Sequence, residues 1–184
     1  MTRIQPISYE QSTGKAKELL DTVKAKLGIT PNMMKTMAQS PAVLEAYLNF
    51  SSALGGGKLS ARLREQIALI SAEINHCGYC ASAHTAIGKM VGLDEGEILA
   101  ARKGDSTDAK TDAALKFARL VIINRGEVSD ADLQALKGAG FSDGEVSEIV
   151  ANVALNIFTN YFNEIARTDI DFPKVQPGTT ALRK

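Results

Sequence analysis

Glycines and prolines cut this chain into short stretches, and the stretches between the cuts read as helices. Gly14 to Leu27 is rich in Ala, Lys, Glu and Leu, and Gly28 then offers a C-terminal stop. Pro31 suits the first turn of a short helix, and Pro41 opens another that runs to about Leu54. Gly55-Gly56-Gly57 is the clearest break and predicts a flexible joint. Ser60 then caps a helix over Ala61 to Ile74, where Leu63, Ile67, Ile70 and Ile74 form one helical stripe. Gly92 ends a segment that starts at Gly78, and Asp94 caps another up to Gly104. Thr107 or Asp108 opens the next, with Ala113, Leu115, Phe117, Leu120 and Val121 partly buried. Ser129 starts a short helix ending near Gly138-Ala139-Gly140, and Ser142 caps a long one to about Arg167. Val- and Ile-rich runs exist, but each sits within helical spacing and none makes a strand pattern.

The expected fold is therefore all-α, a helical bundle forming a single domain over residues 1–184. An N-terminal helical arm covers 1–57, a core covers 58–170, and residues 171–184, with Pro173, Pro177 and Gly178, read as an extended tail. In the last helix Val146, Ile149, Val150, Val153, Ile157, Phe158, Tyr161, Phe162 and Ile165 cover more than a narrow stripe. That width predicts burial on two sides, either deep in the core or partly in a subunit contact.

Composition removes several classes of function. Lys+Arg and Asp+Glu are 21 each, so no basic excess exists to neutralise phosphates or hold an anionic membrane. The first twenty residues hold no apolar h-region, and uncharged runs such as Gln66 to Ala72 are far too short to span a bilayer. A cytoplasmic protein is expected, with no nucleic-acid or membrane partner. In that compartment thiols stay reduced unless they are catalytic.

Both cysteines and both histidines fall within His76 to His84, in the stretch NHCGYCASAH. A structural disulfide, a metal site, inert core thiols and a redox-active pair are all compatible with that crowding. A bond from Cys77 to Cys80 closes so short a loop that it constrains the unfolded chain little. Tetrahedral zinc usually draws ligand pairs from two chain segments, and no second pair exists here. Buried thiols of no chemical consequence are common, but they do not require the C-x2-C spacing or His84 four residues on. The redox reading uses that spacing. At a helix start, residues i and i+3 share a face, as do Cys80 and His84 at i and i+4. Thiolates are favoured at helix N-termini and beside bases. Glu65 lies twelve residues before Cys77, about 18 Å away along one continuous helix. Only a turn at Asn75 to Gly78 would fold it back onto the site from a facing helix. Otherwise it is a solvated first-turn carboxylate.

The spacing Glu65-x11-Cys77-Gly-Tyr-Cys80-x3-His84 resembles the signature of the alkylhydroperoxidase D family, which belongs with the carboxymuconolactone decarboxylases. Leu59 to Ile98 resembles that family's core. Pro31 to Phe50 and Val146 to Pro173 look like flanking parts of its peroxidase-related branch. The resemblance implies an all-helical antioxidant peroxidase that assembles as a homo-oligomer, a trimer or hexamer, without a cofactor or metal. By that analogy Cys80 attacks a hydroperoxide, Cys77 resolves the sulfenic acid to a disulfide, and Glu65 and His84 relay the proton. A dithiol donor, such as a lipoylated protein, would then reduce the pair. Tyr79 stands where the best-known member has a second histidine, so it either donates a hydrogen bond in a rearranged relay or packs. His76 matches no catalytic position of the family and is left as a rim residue. The decarboxylase branch lacks the cysteine pair, which argues against that chemistry. A general dithiol-disulfide oxidoreductase and a non-enzymatic redox sensor remain as rivals.

Overall fold

A computed structural model describes residues 1–178, which form nine helices and no strand. They are α1 (Gly14–Leu27), α2 (Asn32–Met37), α3 (Pro41–Gly55), α4 (Ala61–Ile74), α5 (Gly78–Met90), α6 (Glu95–Lys103), α7 (Ala109–Ile123), α8 (Asp130–Gly138) and α9 (Asp143–Ala166). The all-α bundle is the architecture that the helical repeats predict. Its starts are fixed by side-chain caps. Ser60 Oγ accepts from Leu63 N–H at 3.1 Å, and Asp94, Ser129 and Ser142 each close a capping box with Glu97, Asp132 and Glu145. Of Thr107 and Asp108, it is Asp108 that caps α7, accepting from Thr111 N–H. Each such cap contributes about 1 kcal/mol.

α4 is the centre of the molecule and packs against α5, α6, α7 and α9. The predicted stripe faces inward: Ile67 and Ile70 are fully buried and meet Leu115, Phe117, Ile149 and Val153. A second apolar cluster joins Leu20, Val23, Met37 and Leu44 of α1 to α3 with Ala72, Cys77, Tyr79 and Cys80. The N-terminal helices thus share a core with the cysteines. Just past the three glycines, Lys58 and Leu59 N–H donate to the Glu148 carboxylate of α9. A Cβ at Gly57 would fall 2.5 Å from Glu148 Oε2, so this close approach needs a glycine.

Within one chain, α9 buries a single face. Val150, Phe158, Tyr161 and Ile165 stand exposed, the last two at 56% and 61%. Asn152, Asn156, Thr159, Asn160 and Asn163 are buried instead, alongside Ile149 and Val153. The helix therefore buries one side within the subunit, and that side is polar along its C-terminal half. Asn152 and Asn156 satisfy part of their amides locally by donating to the carbonyls of Glu148 and Asn152, four residues back.

Residues 171–178 run without helix along α5, as an extended tail should; residues 179–184 of the predicted tail lie outside the described residues. Val175 N–H donates to Ser82 Oγ at 2.9 Å and Gly178 N–H to Glu73 Oε1 at 2.7 Å. Arg102 Nη2 donates to Gln176 O at 2.8 Å while its Nε holds Glu73 Oε2 at 2.9 Å. None of the described helices is long and apolar enough to cross a membrane.

Candidate functional site

The bend that the site requires is built from three residues. α4 ends at Ile74, and Asn75 follows with its side-chain amide donating to Asn160 Oδ1 at 2.9 Å. His76 takes a left-handed conformation, φ 55°, which few side chains adopt and which reverses the chain. Cys77 returns to extended backbone and caps α5, its Sγ accepting from Cys80 N–H at 3.2 Å. Cys77 and Cys80 are joined as a disulfide with their Cα atoms 5.3 Å apart, so the structure presents the oxidised pair.

With the chain reversed, α4 and α5 pack together and Glu65 meets His84, with Oε2 2.7 Å from Nδ1. An ionised carboxylate only accepts, so Nδ1–H donates and Nε2 is left free to take a proton. Both side chains are half-buried in the wall of a cavity of about 370 Å³. Cys80 and Tyr79 also line it, whereas Cys77 does not. The two sulfurs are therefore unequal. Both residues are nearly inaccessible, at 0% and 2%, but only Cys80 opens onto the cavity.

Tyr79 does not act as a hydrogen-bond donor to the cysteines. Its hydroxyl accepts from Met33 N–H at 3.3 Å, and its ring meets Phe172 edge-on with centroids 5.7 Å apart. Burial pushes its phenol far above the ordinary range, and the nearby Asp171 carboxylate pushes the same way. His76 lies apart from the cavity, against the tail: a Cβ on Gly178 would sit 3.5 Å from its Nδ1. Among the described residues, no three His, Cys, Asp or Glu side chains converge as a metal site would need.

Several residues around the cysteines and the cavity carry no mark in the cysteine motif. Asn163 of α9 donates its amide to Cys80 Sγ at 3.4 Å and lies 3.2 Å from Met33 Sδ. Met33, Met34 and Tyr47 of the N-terminal helices and Asn152, Asn156 and Thr159 of α9 complete much of the wall. Burial pushes the Tyr47 phenol up to about 12, with the Glu65 carboxylate adding to the shift. One signal for α9 was present in the sequence. Asn152, Asn156, Asn160 and Asn163 recur at helical spacing, and asparagine is a poor interior helix former, so a stripe of four calls for a reason.

Residues 41–123 match the family model of the carboxymuconolactone decarboxylase family. No functionally curated protein matches the chain. Among solved structures, an uncharacterized peroxidase-related protein from Ralstonia eutropha JMP134, with an alkylhydroperoxidase AhpD core, is 26% identical. The match covers 92% of each chain with a TM-score of 0.80. A peroxidase-related protein from Silicibacter sp. TM1040 is 23% identical over 91% of this chain and 92% of the other, with a TM-score of 0.79. The debrominase Bmp8, solved alone and as a cysteine-to-alanine variant with 2,3,4-tribromopyrrole, also shares the fold. Its complex is 22% identical over 93% of this chain and 92% of that one, with a TM-score of 0.78. The matched segment runs from α3 through α7 and carries the whole Glu65-to-His84 signature, and the helical frame around it is the one these structures share. The segment from α3 through α7 thus matches the carboxymuconolactone decarboxylase family model, and the whole chain shares the fold of the alkylhydroperoxidase AhpD core.

Proposed function

We propose that the protein is a thiol-dependent peroxidase that reduces organic hydroperoxides through a Cys77/Cys80 dithiol-disulfide cycle. One observation carries the reading: Cys80 opens onto the same cavity as the Glu65–His84 pair, while Cys77 is enclosed behind it. In the reduced protein, His84 Nε2 takes the Cys80 thiol proton, directly or through water, and Glu65 steadies the imidazolium. The thiolate attacks the outer peroxide oxygen and the O–O bond breaks. The departing alkoxide takes the proton from His84, releasing alcohol and leaving Cys80 as a sulfenic acid. Cys77 thiolate then attacks that sulfur, water leaves, and the disulfide forms. A dithiol donor closes the cycle. One of its sulfurs attacks Cys80 through the cavity and displaces Cys77, and its second sulfur releases Cys80 as the donor becomes a disulfide. The Asn163 amide and the start of α5 favour negative charge on the two sulfurs.

The test is peroxide consumption with dithiothreitol or dihydrolipoamide as donor. Cys80→Ser is expected to be inactive, and Cys77→Ser to consume one equivalent and then stall. Glu65→Gln should slow the thiol-oxidation step by roughly 100-fold or more, the usual scale for an acid–base group. A general dithiol oxidoreductase would instead lose disulfide exchange in the same variants without peroxide-driven turnover. Unchanged peroxide turnover in both cysteine variants would end the peroxidase reading.

A further inference from the structure

The cavity holds one cation that the proposed chemistry leaves unused. Arg64 of α4 lines the wall, and its Nε is buried with no hydrogen-bond partner. Among the described residues no carboxylate pairs with it, although every other wall of the cavity is apolar or uncharged apart from Glu65 and His84. The Glu65 carboxylate does not serve Arg64. It is engaged with His84, and adjacent helix residues point about 100° apart. The guanidinium lies near the last turn of α3, where a Cβ on Gly55 would sit 3.4 Å from Nη1. The α3 dipole favours a cation there, yet Arg64 hydrogen-bonds none of its carbonyls. A buried guanidinium donor with no acceptor is costly unless something arrives to accept from it.

The rest of the wall describes what arrives. Met33, Met34, Ile87 and Phe172 are apolar, and at about 30 Å³ for a water-sized unit the 370 Å³ cavity holds roughly a dozen non-hydrogen atoms. Hydrogen peroxide would leave nearly all of that space unfilled. Resting on the peroxidase reading above, we infer that the substrate is an amphipathic organic hydroperoxide. Its apolar body fills the cavity, its peroxide reaches Cys80, and a carboxylate at its other end is held by Arg64. The planar guanidinium fork suits a carboxylate, which accepts two parallel N–H bonds. Arg64 would then be a specificity-determining residue that touches the substrate at its carboxylate and not at the peroxide.

Two measurements test this separately from turnover. The first is calorimetric binding of decanoate and of decanol to the oxidised protein, in which no peroxide chemistry runs. Decanoate should bind the wild type, and Arg64→Gln should weaken it roughly 10- to 100-fold relative to decanol, the scale of a hydrogen bond to a charged group. Arg64→Lys should recover part of the loss. The second is kinetic: for ω-hydroperoxydecanoate against its methyl ester, the acid-to-ester ratio of kcat/KM should fall by the same factor in Arg64→Gln. If Arg64→Gln shifts decanoate and decanol equally, or decanoate fails to bind the wild type, the anion site is overturned. Should decanoate discriminate while no hydroperoxide is turned over, the binding site stands and the peroxidase reading falls. Turnover with an unchanged acid-to-ester ratio does the reverse.

Discussion

Replacing Arg102 with alanine removes a cation that holds a fully buried carboxylate. Glu73, 1% exposed near the end of α4, accepts from Arg102 Nε at 2.9 Å and from Gly178 N–H at 2.7 Å. The same arginine donates to Gln176 O, so a single side chain ties α4, α6 and the tail together. Without it Glu73 keeps only the amide, and Gln176 O loses this donor. Breaking a buried pair from one side costs about 3–5 kcal/mol, because the remaining charge stays desolvated. Set against the 5–15 kcal/mol that holds most domains folded, that is a large fraction. Urea or guanidinium unfolding of the oxidised protein measures it, as a fall in midpoint with the slope m held. The double variant Glu73→Met/Arg102→Met removes both charges and is expected to recover most of the loss. Native-state hydrogen exchange adds a local readout. The Val175 and Gly178 amides, bonded to Ser82 and Glu73, should lose protection first in Arg102→Ala. A cost below about 1 kcal/mol, the range of exposed pairs, would refute the reasoning. So would a double variant no more stable than the single one.

Two further outcomes follow from groups around Cys80. Tyr47 is held neutral by burial, with its folded pKa raised from 10.0 to about 12. Stability from that shift is therefore complete below pH 10 and lost as pH rises through about 12, an amount on the order of 3 kcal/mol for two units. Tyr47→Phe should flatten that part of the stability profile, and an unchanged slope between pH 10 and 12 would refute it. Asn163 donates to Cys80 Sγ, and in the reduced protein the same amide favours the thiolate. Asn163→Leu should raise the pH midpoint of Cys80 alkylation in a Cys77→Ser background by about one unit, the worth of one hydrogen bond. A midpoint that stays in place would leave the amide without that role.

The helix boundaries were legible because caps and stops are local. Ser60, Asp94, Ser129 and Ser142 act on amides within three residues, and Gly28 and Gly104 end their helices in left-handed conformations. The Glu65–His84 pairing was legible only as a condition, that the chain turn at Asn75 to Gly78. His76 supplies the turn; histidine is among the non-glycine residues enriched in left-handed backbone, but that preference is too weak to place the turn from the sequence. The inner face of α9 was not legible from hydrophobicity. Tyr161 and Ile165 face outward because the groove beneath the helix is polar, and the amides of Asn160 and Asn163 reach Asn75 and Cys80 there. Arg64, one residue from Glu65, carries no signal in the sequence that sets it apart from an ordinary arginine on a helix surface. Only the packing of α9 against both α4 and α3 places it in the cavity wall.

The asymmetry between the two sulfurs bears on how the proposed cycle keeps its direction. A thiolate leaves a disulfide more readily when its charge is stabilised, and attack falls on the sulfur that can be reached. Cys77 Sγ sits at the start of α5 with the Cys80 amide aimed at it, which makes it the better leaving group. Cys80 Sγ faces the cavity, which makes it the reachable centre for both peroxide and dithiol. In the proposed cycle Cys80 is thus the sulfur that meets both peroxide and dithiol, and Cys77 is the sulfur that closes the disulfide and later leaves it. The tail reinforces the division. Ile170 and Pro177 pack over Gly78, with would-be Cβ contacts of 3.7 and 4.0 Å, closing the side of the turn away from the cavity. A donor thiol that entered from the tail side would meet Cys77 and expel Cys80, whose charge would be held by the Asn163 amide in place of the helix start. In the proposed cycle, then, the cavity does more than admit substrate: it selects which bond of the mixed disulfide forms, and the covering tail is part of that selection.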